Sequence, residues 1–229
     1  MSGRSIGYTL RRSSRAKWVS GWIRPETGLV VTVPASATAR QAEAFVIKHQ
    51  RWVVRQLERW AALFAKLPRP WPYGTSLLYR GESHTVEIRQ AGAGSVERTP
   101  QRRLIICAPS GGIEGARRVL RRWLMREATP VLAERAETLG AQMGLRAKRI
   151  YVRNLRWRWG SCWPGGSLSF NYRLIMAPPH ILDYVVVHEL THLKERNHSP
   201  RFWSLVAGQC PSHRDARIWL RTFGVCLGV

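Results

Sequence analysis

The stretch that most constrains this chain is Val185-Val186-Val187-His188-Glu189-Leu190-Thr191-His192, followed by Asn197-His198. Residues four apart share one face of a helix, so a helical reading puts His188 and His192 side by side with Glu189 between them. Two neutral imidazoles on one face can hold a zinc ion at about 2.0–2.1 Å, and the glutamate can act as general base toward attacking water. The valine run suits a buried helix backing a cleft. A third ligand is then required. Downstream the chain offers only His198, His213 and Asp215, with Glu195 at the border. Six further residues of helix would carry His198 about 240° from His192. The helix is therefore expected to end between Glu195 and His198. Asn197 is suited to the left-handed conformation there, and Ser199-Pro200 to opening a new helix. His198 is the preferred third ligand and His213 the alternative. The competing reading is a structural helix with surface histidines.

The same segment resembles the YgjP-like/SprT-like zincin metallopeptidases. The match rests on His188-Glu189-Leu190-Thr191-His192 and on Asn197-His198-Ser199-Pro200-Arg201-Phe202-Trp203. Upstream, Arg158-Trp159-Gly160-Ser161-Cys162 and Asn171-Tyr172-Arg173-Leu174 match the family's second signature. The likeness is specific over 150–222 and looser elsewhere. It implies an α+β fold, a zincin-like core with the His-Glu-x-x-His helix beside a small antiparallel or mixed sheet. A strand-rich N-terminal region precedes it, the expected division being 1–110 and 111–229. It further implies zinc ligands at His188, His192 and His198, a catalytic base at Glu189, and a peptide or protein substrate. The ligand spacing equals that of metzincins, but Glu195 stands where they have glycine, and the last methionine, Met176, precedes the site.

The net charge of +23 comes almost wholly from arginine, 32 of the 37 basic residues against 5 lysines. Such an excess points to polyanions, nucleic acid among them, or to a genome rich in arginine codons. With Asp183 and Asp215 the only aspartates, chemistry that needs clustered Asp around magnesium is excluded. Cys107, Cys162, Cys210 and Cys226 are scattered, which argues against a disulfide scaffold or a four-cysteine zinc site. The N-terminus lacks the apolar stretch of a signal peptide and no run reaches membrane-spanning length, so a cytoplasmic protein is expected.

Along the chain, Tyr8–Leu10 and Lys17–Ile23 suggest a strand pair, and 28–34 a strand closed by proline. A helix is expected from Thr38 to about Lys66, with Phe45, Trp52, Leu57 and Trp60 among its apolar positions and His49 as a packing or surface residue. The segment 68–72 reads as a rigid connection. Strands follow near 76–79, 84–89 and 104–108. A helix from Ile113 to about Met143 should break or kink at Pro130 and carries Arg117, Arg118, Arg121, Arg122 and Arg126 as a basic stripe. Strands are expected at 150–154 and 167–175, the second with one polar face.

The segment Trp157–Arg173 is the candidate edge strand for substrate, and Arg158, Asn171 and Arg173 are candidate stabilisers of developing negative charge. For Asn171 the structural alternative is that it pins a loop. Glu195 is a candidate to orient an imidazole, the alternative being a surface glutamate. Two other functions compete: hydrolysis of a nucleotide phosphoanhydride assisted by a metal, and a nucleic-acid-binding module with a residual zinc site. In the latter, Arg156-Trp157-Arg158-Trp159 would stack bases.

Overall fold

The computed structural model describes residues 6–24, 28–66, 71–72, 74–109 and 112–228. The chain divides into two compact units, 1–69 and 70–229. The strands of 76–108, grouped above with the first region, thus belong to the second unit.

In the first unit, β1 (Tyr8–Ser13), β2 (Ser20–Arg24) and β3 (Gly28–Pro34) form a sheet in the order β1-β3-β2. The expected pairing of the first two strands does not occur. The most apolar strand takes the centre instead, burying Leu29, Val31 and Val33. The expected single helix is two, α1 (Ala39–Lys48) and α2 (Gln50–Lys66), separated at His49, the C-cap of α1, whose ring lies 4.5 Å from that of Phe45. Thr38 caps α1 through a reciprocal bond pair with Gln41. The inward positions are Ala42, Val46 and Val53, whereas Trp52 is exposed. The side chain of Trp60 and residues 68–70 lie outside the described residues.

The second unit opens with β4 (Ser76–Tyr79), β5 (Glu82–Gln90), β6 (Ser95–Arg98) and β7 (Arg103–Ala108), ordered β4-β5-β7-β6. The short polar strand β6 gave no apolar signal in the sequence. Arg80 and Gly81, at φ 52° and 82°, make the two-residue turn between β4 and β5. A Cβ at Gly81 would stand 2.8 Å from Pro178 Cα. That turn is bonded to the segment just before the metal helix, with Arg80 N donating to Ile175 O and Gly81 N to Met176 O.

Helix α3 (Ile113–Gln142) runs through the exposed Pro130 without the expected break. Then come β8 (Arg149–Arg153), β9 (Gly160–Cys162) and β10 (Ser167–Asn171), ordered β8-β10-β9. The strand expected to reach 175 stops at 171, where Asn171 Oδ1 accepts from Arg173 N and caps a 3₁₀ turn, Tyr172–Met176. Its alternation does not produce a wet face either, since Ser169 and Asn171 are as buried as Leu168 and Phe170. Helix α4 (Pro179–Thr191) begins with proline at its first turn, where the missing N–H costs nothing. Nine of the thirteen residues of α4 are buried, including Ile181, Val185, Val186 and Leu190, so it is a central helix. Arg135 of α3 holds its N-terminal half through Asp183, at 2.7 and 2.9 Å. Helices α5 (Pro200–Gln209) and α6 (His213–Phe223) complete the unit.

Candidate metal centre

Helical spacing brings His188 and His192 together, their ring centroids 5.0 Å apart. The helix ends sooner than expected: Thr191 is its last residue and His192 its C-cap. The chain then turns back through Leu193 N to Leu190 O and through Lys194 N and Glu195 N to Thr191 O. Asn197 is not among the residues with positive φ, so no left-handed residue is needed there. Ser199 caps α5 by accepting from Phe202 N at 3.2 Å, with Pro200 in the first turn. This cap delivers His198 to the other two histidines.

One nitrogen from each of His188, His192 and His198 lies within 4.8 Å of the others. His188 Nε2 and His198 Nε2 are 3.1 Å apart, close to the separation of about 3.3 Å for two ligands of one tetrahedral zinc. His192 Nδ1 meets Glu195 O at 3.1 Å, which leaves Nε2 for a metal. The group that orients the imidazole is the main-chain carbonyl of residue 195 and not the Glu195 carboxylate. Burial, followed by the neighbouring His192, His198 and Arg217, lowers the His188 pKa to about 3. Burial and the same kind of neighbours lower that of His198. Neutral imidazoles are what a metal requires, and the set fits a zinc-type ion with a fourth position open. The alternative His213 is buried elsewhere, its Nδ1 3.2 Å from Cys210 O and its ring stacked on Trp203. Asp215 is exposed on α6 and belongs to no cluster of metal-ligating groups among the described residues.

Glu189 is 6% exposed, and burial pushes its carboxyl up to about 7, with Arg158 pulling the other way. Its neighbour across the cleft is Gly160, where a Cβ would stand 2.5 Å from Glu189 Cγ and 2.7 Å from Oε1. A side chain of any size at 160 would displace the carboxylate. One turn before the ligands, Tyr184 sits 5.9 Å from His188 between ring centroids, its hydroxyl raised by burial to about 12.

A cleft of about 530 Å³ joins the three histidines and Glu189 to β9 and the turn after it. Arg158 lines it, as expected of a candidate stabiliser, but Asn171 and Arg173 do not. Asn171 Nδ2 donates to Leu155 O at 2.7 Å and to Arg158 O at 3.1 Å, which pins the loop entering β9. Arg173 donates to Asn154 Oδ1 at 2.8 Å, and its guanidinium lies 4.8 Å from the Tyr172 ring. Asn171 thus holds the wall of the cleft from behind, through the Arg158 carbonyl. Cys162 of the second signature lines it too, as do Arg196 and Trp163, which were not singled out from the sequence. No local pattern marks Arg196 and Trp163, because they reach the cleft only when the β9–β10 hairpin folds against α4.

β9 is an edge of its sheet. Trp163 N donates to Ser167 O and Asn171 N to Trp159 O, and Ser161 pairs with Ser169. In an antiparallel ladder the intervening residues turn their backbone groups outward. Gly160 and Cys162 therefore present N–H and C=O away from β10, at the strand that lines the cleft.

Comparison with known proteins places these features in a family. The model of the YgjP-like, metallopeptidase domain matches residues 21–223. Over 48 residues the chain is 42% identical to the UTP pyrophosphatase of Escherichia coli (strain K12), a stretch amounting to 19% of this chain and 29% of that protein. The chain therefore aligns with less than a third of that relative. Among solved structures, it resembles the metallopeptidase zymogen abylysin of Pyrococcus abyssi, at 20% identity and a TM-score of 0.34, over 39% of this chain and 93% of that one. The metallopeptidase zymogen jannalysin of Methanocaldococcus jannaschii matches at 16% identity and a TM-score of 0.34, over 38% and 93%.

Proposed function

Because the chain belongs to the YgjP-like metallopeptidase-domain family, we propose that this metallohydrolase is a zinc-dependent peptidase of the cytoplasm, acting on peptide or protein substrates. The observation that carries the reading is the convergence of three imidazoles beside a buried carboxylate at the floor of one cleft. His188, His192 and His198 would hold the ion. Bound zinc supplies Lewis acidity and makes water a nucleophile near neutral pH. Glu189 takes the proton of the attacking water and hands it to the leaving amine, a role that suits a carboxyl near 7. The outward N–H and C=O groups of Gly160 and Cys162 would hold an extended peptide as an added strand, and Arg158 would face the developing negative charge. Scattered cysteines, all free, support a reducing compartment. No described helix is long and apolar enough to cross a membrane.

A second reading has its own support. Arg158 and Arg196 both line the cleft, and two guanidinium groups beside a metal suit phosphate oxygens. The short match to a UTP pyrophosphatase points the same way. Hydrolysis of a nucleoside triphosphate would then replace that of a peptide at the same ion.

One experiment separates the two. Zinc-loaded protein is given a peptide library and, separately, nucleoside triphosphates, beside Glu189→Gln and His192→Ala. Peptide turnover that both variants lose is the expected result, Glu189→Gln retaining zinc and His192→Ala losing it. Triphosphate hydrolysis without peptide cleavage would overturn the first reading in favour of the second. Equal zinc loss in both variants would contradict the separation of base from ligand.

A further inference from the structure

The face of the β8-β10-β9 sheet turned away from Glu189 carries groups that the hydrolytic reading does not use. From Thr138 to Leu182, 45 residues contain six arginines and one lysine and neither Asp nor Glu. Within β8, Ile150 and Val152 pack on the core, so Arg149, Tyr151 and Arg153 occupy the opposite face. Strand pairing extends that face, since Tyr151 stands beside Ser169 and Ser169 opposite Ser161. Trp163 lies over it, donating from Nε1 to Ser169 Oγ at 3.4 Å while its ring remains 55% exposed. In the loop leading to β9, Trp157 is 68% exposed, with the Arg156 guanidinium 4.9 Å from its ring. The Arg153 guanidinium lies 4.5 Å from the Tyr151 ring.

We infer that this face binds single-stranded nucleic acid, with Tyr151, Trp157 and Trp163 stacking bases and Arg149, Arg153 and Arg156 contacting phosphates. Two large rings left largely in water, Trp157 and Trp163, beside the arginines of β8 call for a partner with flat apolar faces, and charge complementarity demands that it be anionic. Unpaired bases supply both, whereas a duplex hides its base faces and offers phosphates alone. The arginines of α3 form a different kind of surface. There Arg117 is bonded to Glu114 at 3.0 Å and Arg126 lies 4.0 Å from Glu127, so part of the charge is already met. Because Trp163 also lines the metal cleft, a strand bound on the sheet would reach the cleft rim. The inference goes beyond the proposed hydrolysis and does not depend on it.

The test is fluorescence anisotropy of the full chain with labelled oligo-dT and oligo-U of about 15 nucleotides, at the upper end of the span of one such platform, across a salt series. A duplex of the same length and anionic vesicles serve as competitors. Single strands should bind, with log K falling by about 0.7 for each phosphate neutralised per log unit of salt. Combined Arg149→Gln, Arg153→Gln and Arg156→Gln should flatten that slope by about two units. Trp157→Ala, at a ring 68% exposed, should weaken binding about tenfold or more while leaving the slope intact. Absence of binding at about 0.1 M salt would overturn the inference. So would duplex or vesicles competing as well as single strands, an unaltered affinity in Trp157→Ala, or a slope that responds to Arg118→Gln, Arg122→Gln and Arg126→Gln instead.

Discussion

Gly160→Ala tests the geometry of the proposed base without touching an ionisable group. The added methyl would sit 2.5 Å from Glu189 Cγ, 2.7 Å from Oε1 and 2.8 Å from Cδ. Carbon atoms pack at about 3.5–4.0 Å, so one partner must give by about 1 Å. Glu189 is buried, and β9 is held by Trp163 N and Ser161 on one side of the contact and by Trp159 O on the other. The carboxylate is the softer partner and should rotate away. A misplacement of about 1 Å costs about 10²-fold in rate, which approaches the 10²–10⁴-fold expected from losing a general base outright. The assay is kcat/KM on the best peptide found in the library, with bound zinc measured on the same samples. Gly160→Ala should retain its metal and lose about two orders of magnitude in turnover. Ser161→Ala, whose Cβ is on the other face of the strand, should be nearly neutral. Full turnover in Gly160→Ala, or an equal loss in Ser161→Ala, would refute the argument.

Other outcomes follow from the same structure. In metal-free protein the folded Glu189 carboxyl titrates near 7 instead of the ordinary 4.5, so ionising it works against folding. Glu189→Gln should therefore gain stability over the parent as pH rises from about 4.5 to about 7, with a level gap above; a gap that does not change across this window in denaturant titrations would contradict the burial argument. Arg135→Ala should cost about 1 kcal/mol, because its two bonds to Asp183 are good in geometry but about one-third exposed. A chemical denaturation midpoint equal to the parent's would remove that ion pair from the account of how α4 is held. Ser199→Ala should cost about 1 kcal/mol as a lost N-cap and also weaken zinc affinity, since the cap sets the residue after His198; unchanged metal affinity would mean that His198 is positioned by its ring contacts alone.

How much of this was legible in the chain depends on how local each cause is. The pairing of His188 with His192 follows from helical pitch, and the delivery of His198 follows from the Ser199-Pro200 start of α5, so both could be read from adjacent residues. The end of α4 is not legible from residue type, because no helix-breaking residue makes it. The chain turns instead by ordinary bonds back to Leu190 and Thr191, and His192 is fixed by Glu195 O. The β1-β3-β2 order was hidden because sequence neighbours suggested a hairpin, while burial of Leu29, Val31 and Val33 favoured a central β3. Asn171 and Arg173 looked suited to charge stabilisation by residue type alone. Only the fold shows Asn171 bonded to the carbonyls of Leu155 and Arg158, since those lie 16 and 13 residues away in sequence.

Those two bonds bear on the site through the register of a three-residue strand. Side chains alternate along β9, so Gly160 and Cys162 share the Glu189 side and Ser161 takes the other. A slip of one residue would reverse every assignment. Ser161 would meet Glu189, where even a single carbon does not fit, and the outward backbone groups would be turned onto β10. The register is held at both ends. At one end, Gly166 at φ 77° closes the hairpin by donating to Trp163 O, and Trp163 N donates to Ser167 O. At the other, Asn171 N donates to Trp159 O while its side chain clamps the incoming loop. The Asn171 amide is thus a positioning group. By fixing which residue of β9 lies against Glu189, it decides whether the base has room to sit beside the three histidines, although it does not itself line the cleft.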